Sequence, residues 1–115
     1  VFVLRWTEEA ASEYALLKAK ATAALGVRRK KARAKSSRDE GLFKQVHKCV
    51  SLLAENPRHL GLHTHEYLSL AHPFNLQEKV FEAYVQNRTP GAYRVFWCYG
   101  PEAGQITVIA ITPHP

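Results

Sequence analysis

The stretch from Lys79 to Pro115, KVFEAYVQNRTPGAYRVFWCYGPEAGQITVIAITPHP, constrains the fold more than any other part of the chain. Three runs rich in Val, Ile, Phe, Tyr and Trp are separated by Thr89-Pro90-Gly91 and by Gly100-Pro101-Glu102-Ala103-Gly104. β-Branched and aromatic side chains suit a pleated, packed surface and Pro/Gly clusters turn the chain, so the pattern predicts three hairpin-connected antiparallel strands. Because strand side chains alternate, Phe81, Ala83 and Val85 fall on one face of the first run and Glu82, Tyr84 and Gln86 on the other. The second run spans Tyr93 to Tyr99. The third, Gln105 to Thr112, is apolar on both faces apart from Thr107 and reads as a central strand. Pro113 ends it and leaves His114 just beyond.

A sheet with one apolar face needs a covering layer, and the upstream sequence supplies two amphipathic helices. Val1 to Trp6 suits a short first strand, after which Thr7 is placed to cap a helix with Glu8 and Glu9 in its first turn. Ala11, Tyr14, Leu17, Ala21 and Leu25 form its apolar stripe. Ser37-Arg38-Asp39-Glu40 matches a capping box and predicts the start of a second helix. Leu42, Val46, Cys49, Val50 and Leu53 give that helix its buried face, and Asn56-Pro57 ends it. The two helices form an αα-hairpin. His59 to Gln77 is the least patterned part and reads as a long connection with at most a short strand around Tyr67 to Leu70. The expected class is α+β: a short N-terminal strand and two helices on one face of a mainly antiparallel sheet that ends in a three-strand meander.

Length and composition narrow the function. A chain of 115 residues, 46% hydrophobic and 23% charged, is expected to form one compact domain over residues 1–115. No apolar run approaches the roughly 20 residues that span a bilayer and no signal peptide is evident, so the expected location is cytoplasmic and no membrane partner is expected. Cys49 and Cys98 sit in apolar patterns and read as buried free thiols. His59, His63 and His65 have no spacing that fits a zinc-ligand class, and no metal or other cofactor is expected. The net charge is +6, and residues 28–48 carry nine Lys and Arg against two acids. Its densest part, Arg28, Arg29, Lys30, Lys31, Arg33 and Lys35, suits a phosphate backbone, which such a surface attracts through counterion release.

Several of these features together resemble the RelE/ParE superfamily of toxins from bacterial type II toxin–antitoxin systems. They are the strand and two-helix order, Asn56-Pro57-Arg58 after the second helix, Ala92-Tyr93-Arg94-Val95-Phe96-Trp97 in the penultimate strand, and the terminal Ile109-Ala110-Ile111-Thr112-Pro113-His114. The Tyr-Arg pair and C-terminal histidine are similar to the YoeB-like branch of the RelE-type mRNA interferases. The resemblance implies a RelE-like fold and a toxin that cleaves mRNA, often on the ribosome, inhibits translation and is silenced by a cognate antitoxin from an adjacent gene, itself usually DNA-binding.

RNA cleavage through the 2′-hydroxyl needs a base, an acid for the departing 5′-oxygen and positive charge on the phosphate. Arg94 suits the phosphate, being permanently charged and bidentate. His114 suits proton transfer, because imidazole titrates near neutral pH. Glu82 is a candidate base and Glu66, on the preceding connection, is the alternative. Tyr84 shares Glu82's face and is placed to stack on a base or donate to a phosphate. Each has a plainer reading, with Arg94 pairing Glu82 across the strands and His114 in a solvated tail. Two other functions fit the same resemblance: a ParE-like, non-catalytic inhibitor of DNA gyrase, and an inactive RNA- or antitoxin-binding module.

Overall fold

The computed structural model describes residues 1–31 and 37–114. The elements in order are β1 (Val3–Trp6), α1 (Glu8–Lys30), α2 (Arg38–Glu55), a 3₁₀ turn (Leu60–Leu62), β2 (His65–Glu66), β3 (Phe81–Tyr84), β4 (Tyr93–Tyr99) and β5 (Gln105–Pro113). The strands form one sheet in the order β1-β5-β4-β3-β2, with β1 parallel to β5 and every other pairing antiparallel. The C-terminal meander is therefore present, and β5 is central, flanked by β1 and β4. Gly91 adopts φ 67° in the turn before β4, a conformation that a residue with a Cβ adopts at a cost. Among the described residues no helix is long and apolar enough to cross a membrane.

Both helices lie on one face of the sheet. Val46, Cys49, Val50 and Leu53 of α2 meet Ala83, Val95, Trp97, Ile106, Val108 and Ile111 of the sheet in one buried cluster. Burial pushes the Cys49 thiol up to about 12 and that of Cys98 up to about 11, so neither supplies a thiolate near neutral pH. The stripe of α1 differs from expectation by one position: Ala10 is fully buried and Ala11 is exposed. Ala10 lies four residues before Tyr14 and Ala21 four after Leu17, so 10-14-17-21 is a straighter stripe than one through residue 11.

The connection before β3 also departs from expectation. Its strand is His65–Glu66, not Tyr67 to Leu70. The backbone of Tyr67 still donates to Val80 O at 2.8 Å, but its ring turns onto Phe96, at 4.7 Å between centroids, and the chain then leaves the sheet edge. His72 braces the loop that follows. Its Nδ1 accepts from Phe74 N and Asn75 N, which leaves Nε2–H to donate to Tyr99 O at 2.9 Å.

A one-residue bulge sets the far end of the sheet. Trp97 pairs with Val108 while Phe96 pairs with Ala110, so Ile109 is an extra residue on β5. The bulge reverses the phase of everything after it: Ile106, Val108 and Ile111 face the helices, and Ala110, Thr112 and His114 face the opposite side. α1 covers the β5 backbone beyond the end of β1. Thr7 Oγ1 donates to Ile109 O at 2.7 Å while accepting from Ala10 N as the helix N-cap, and Glu13 accepts from Ile111 N at 2.8 Å.

The predicted capping box opens α2. Glu40 N donates to Ser37 Oγ and Ser37 N to the Glu40 carboxylate. Arg28, near the end of α1, forks onto the same carboxylate with bonds of 2.9 and 3.1 Å. Glu40 is thereby shared by both helices, and chiefly the Arg28 guanidinium, with the Ser37 backbone, holds its carboxyl down to about 2. A carboxyl whose folded value is depressed stabilises the fold above its ordinary range and loses that contribution as it is protonated. Ser37→Ala should lower stability by about 1 kcal/mol. Glu40→Gln should melt below wild type at pH 7 in a calorimetric scan. That gap should shrink as pH falls below the reference 4.5 and close near about 2.

Candidate active site

The face of the sheet opposite the helices carries a buried carboxylate. The Glu82 side chain is 2% exposed, and a carboxylate removed from water in this way must be compensated by charge or hydrogen bonds. Three groups from three segments surround it. His65 lies opposite Glu82 in the β2–β3 register, with Nε2 at 2.6 Å from Oε1. His114 Nδ1 lies 3.1 Å from Oε2, and His114 N is pinned to Ala92 O at 2.8 Å. Arg94 Nε is 4.0 Å from Oε2. Neither Oε2 nor Arg94 Nε makes a hydrogen bond of good geometry, although both are buried.

Arg94 is held more firmly by its own neighbours than by Glu82. Its Nη1 donates to Gln86 O and to Tyr93 O, and its guanidinium carbon sits 3.8 Å above the ring of Tyr84, the cross-strand partner of Arg94. Nη2 has no protein partner among the described residues and is the nitrogen left for an external anion. The expected Glu82–Arg94 pairing therefore exists only as a 4.0 Å approach. Tyr84 serves as the plate under the guanidinium, with the rings of His63 and His65 at 5.4 and 5.7 Å on its flanks.

The accessible part of the cluster is its two imidazoles, with side chains 49% (His65) and 45% (His114) exposed. His65 Nδ1 faces His63 O at 3.2 Å while Nε2 faces the Glu82 carboxylate. Each ring nitrogen of His65 thus faces an oxygen atom. For His114, Nδ1 lies against the carboxylate and Nε2 makes no hydrogen bond to a described residue. The arrangement is a buried carboxylate holding two exposed imidazoles, with a guanidinium alongside.

Of the residues singled out in the sequence, Glu82, Arg94, His114 and Tyr84 come together and Glu66 does not. Glu66 pairs with Phe81 in the strand register, on the face opposite Glu82, and lies 3.8 Å from Lys79 Nζ. The sequence places His65 in the long connection between α2 and the meander. Its membership depends on the β2–β3 register, which only an i, i+2 alternation through His63-Thr64-His65 hints at in the sequence. In the basic run, Arg28 is committed to Glu40, while Arg29, Lys30 and Lys31 are exposed at the end of α1. Arg33 and Lys35 lie outside the described residues.

No protein-family model matches the sequence, and a search of curated proteins finds no match. Solved structures do share the fold. A YoeB/ParE toxin from Agrobacterium tumefaciens superposes with a TM-score of 0.62 at 9% identity, covering 97% of this chain and 98% of that one. The YoeB dimer from Staphylococcus aureus superposes with a TM-score of 0.61 at 10% identity, covering 99% and 98%. The architecture is the RelE/ParE toxin fold, as the resemblance implied.

Removing Arg94 should take a permanent charge from beside the buried carboxylate and leave the Gln86 and Tyr93 carbonyls without their donor. Arg94→Met should cost about 3–5 kcal/mol in urea unfolding, whereas Glu66→Gln, at a half-exposed site, should change stability by no more than about 0.5 kcal/mol.

Proposed function

We propose that this chain, built on the YoeB/ParE toxin fold, is the toxin of a type II toxin–antitoxin pair and cleaves mRNA at the Glu82 cluster. The observation that carries the reading is the buried Glu82 carboxylate with an exposed imidazole at each oxygen and a guanidinium alongside. A purely structural ion pair has no need of two half-exposed imidazoles on one carboxylate.

His114 is the base. With Nδ1 beside Glu82 Oε2, at 3.1 Å, its Nε2 takes the proton of a ribose 2′-hydroxyl, and the 2′-oxygen bonds to phosphorus. The bond from phosphorus to the 5′-oxygen breaks, and His65 gives that oxygen a proton from Nδ1, which lies 3.2 Å from His63 O. A 2′,3′-cyclic phosphate and a 5′-hydroxyl result. Glu82 orients both rings and offsets the charge on each, and Arg94 Nη2 meets the charge that builds on the phosphate. Arg29, Lys30 and Lys31 at the end of α1 contribute a sequence-independent attraction to RNA and the ribosome. The partners are mRNA on the ribosome and an antitoxin that covers this face.

Mapping of 5′ ends in cells expressing the chain, with purified ribosomes and mRNA alongside, tests the reading. Wild type should leave 5′-hydroxyl ends. His114→Ala and Glu82→Gln should each slow cleavage about 10²–10⁴-fold, while Glu66→Gln should cleave as wild type does. Cleavage that survives in the His114→Ala/Arg94→Ala double variant would refute the site. Absence of cleavage accompanied by gyrase-dependent DNA breaks would identify a ParE-like inhibitor instead.

A further inference from the structure

A second site lies on the other face of the sheet, where the chain leaves α2. A cavity of about 490 Å³ opens between the segment Pro57–Thr64 and the aromatic side chains of β3 and β4. Phe81 and Trp97 stack with centroids 4.9 Å apart, and Tyr99 meets Trp97 edge-on at 5.0 Å, forming an aromatic wall whose outer member, Tyr99, is exposed. Arg58 and His59 stand at the opposite side, and no carboxylate lines the cavity. Arg58 is exposed and has no ion pair among the described residues.

An aromatic wall with an exposed guanidinium at the mouth matches a flat heteroaromatic ring with an attached phosphate.

We propose that this cavity binds a nucleotide, with the base against Tyr99, Phe81 and Trp97 and the phosphate on Arg58. Phe81 is the chain neighbour of Glu82 and points to the opposite face. His65 and Thr64 are likewise adjacent, one at the Glu82 cluster and the other at the cavity. The short edge strand β2 is thus all that separates the two sites. The nucleotide is either a free mononucleotide or a unit of an RNA strand passing around that edge. Only the second source rests on the proposed cleavage reaction, and binding is read without cleavage.

Calorimetric titration of the full chain with 5′-AMP, 5′-GMP, 5′-CMP and 5′-UMP, with ribose 5-phosphate as the probe lacking a base, tests the proposal. At least one nucleotide should bind saturably and quench Trp97 emission, and ribose 5-phosphate should bind at least about tenfold more weakly. Arg58→Ala should weaken nucleotide binding about tenfold, while Arg88→Ala, which removes the same charge elsewhere, should have no effect. A hexaribonucleotide whose Arg58-dependent binding is displaced by the mononucleotide identifies an RNA subsite. An Arg58-dependent mononucleotide that the RNA does not displace identifies a free-nucleotide ligand. Absence of saturable binding by any nucleotide or RNA, or binding indifferent to Arg58→Ala, overturns the proposal. So does saturation by N-acetylphenylalaninamide alone, which would mark the cavity as a seat for a protein side chain.

Discussion

A carboxylate that is almost wholly removed from water organises the open face of this sheet. Glu82 on β3 is compensated by groups from β2, β4 and the residue after β5, so its burial is tolerable only when four separate segments are in register. The contacts that offset a buried charge also hold two imidazoles in defined orientations with their outer edges in solvent. Arg94 is anchored independently of Glu82 by its stacking on Tyr84 and its bonds to two carbonyls.

The bulge at Ile109 is what brings His114 into this group. A regular β5 would keep strict alternation from Ile106, and His114 would share the helix-facing side with Ile106 and Val108. One extra residue moves it to the other face. The bulge is supported from α1: Thr7 occupies the Ile109 carbonyl and Glu13 the Ile111 N–H. Burial raises the Glu13 carboxyl above its ordinary value against the opposing effect of that bond. Pro113, which has no N–H to offer, completes the blocking of this edge. The first turns of α1 therefore serve the sheet as much as the helix.

At the other end of the molecule, the hairpin of α1 and α2 is tied by Glu40. That residue caps its own helix and receives Arg28 from the other, so a basic residue that reads as part of an RNA-binding run is a structural one. The exposed cations that follow it are displayed on a braced helix end, close to where the macrodipole favours positive charge.

Several elements are legible locally because their causes are local. The three C-terminal strands follow from residue type and turn chemistry, α1 starts at the Thr7 cap, α2 at the Ser37–Glu40 box, and α2 ends at Asn56. The resemblance in element order anticipated the fold, which the solved toxins share at 9–10% identity. Arg94, His114 and Glu82 were nameable from their positions on and after strands. The choice between Glu82 and Glu66, the inclusion of His65, the diversion of Arg28 and the cavity behind Trp97 were not. Side-chain alternation assigns faces only within one strand. Which faces coincide between strands is set by register, and a single bulged residue inverts it. The sequence by itself determined the parts and their order. Tertiary structure decided which charged groups share a face, because pairing between strands distant in sequence is governed by the joint burial of one carboxylate and one apolar core.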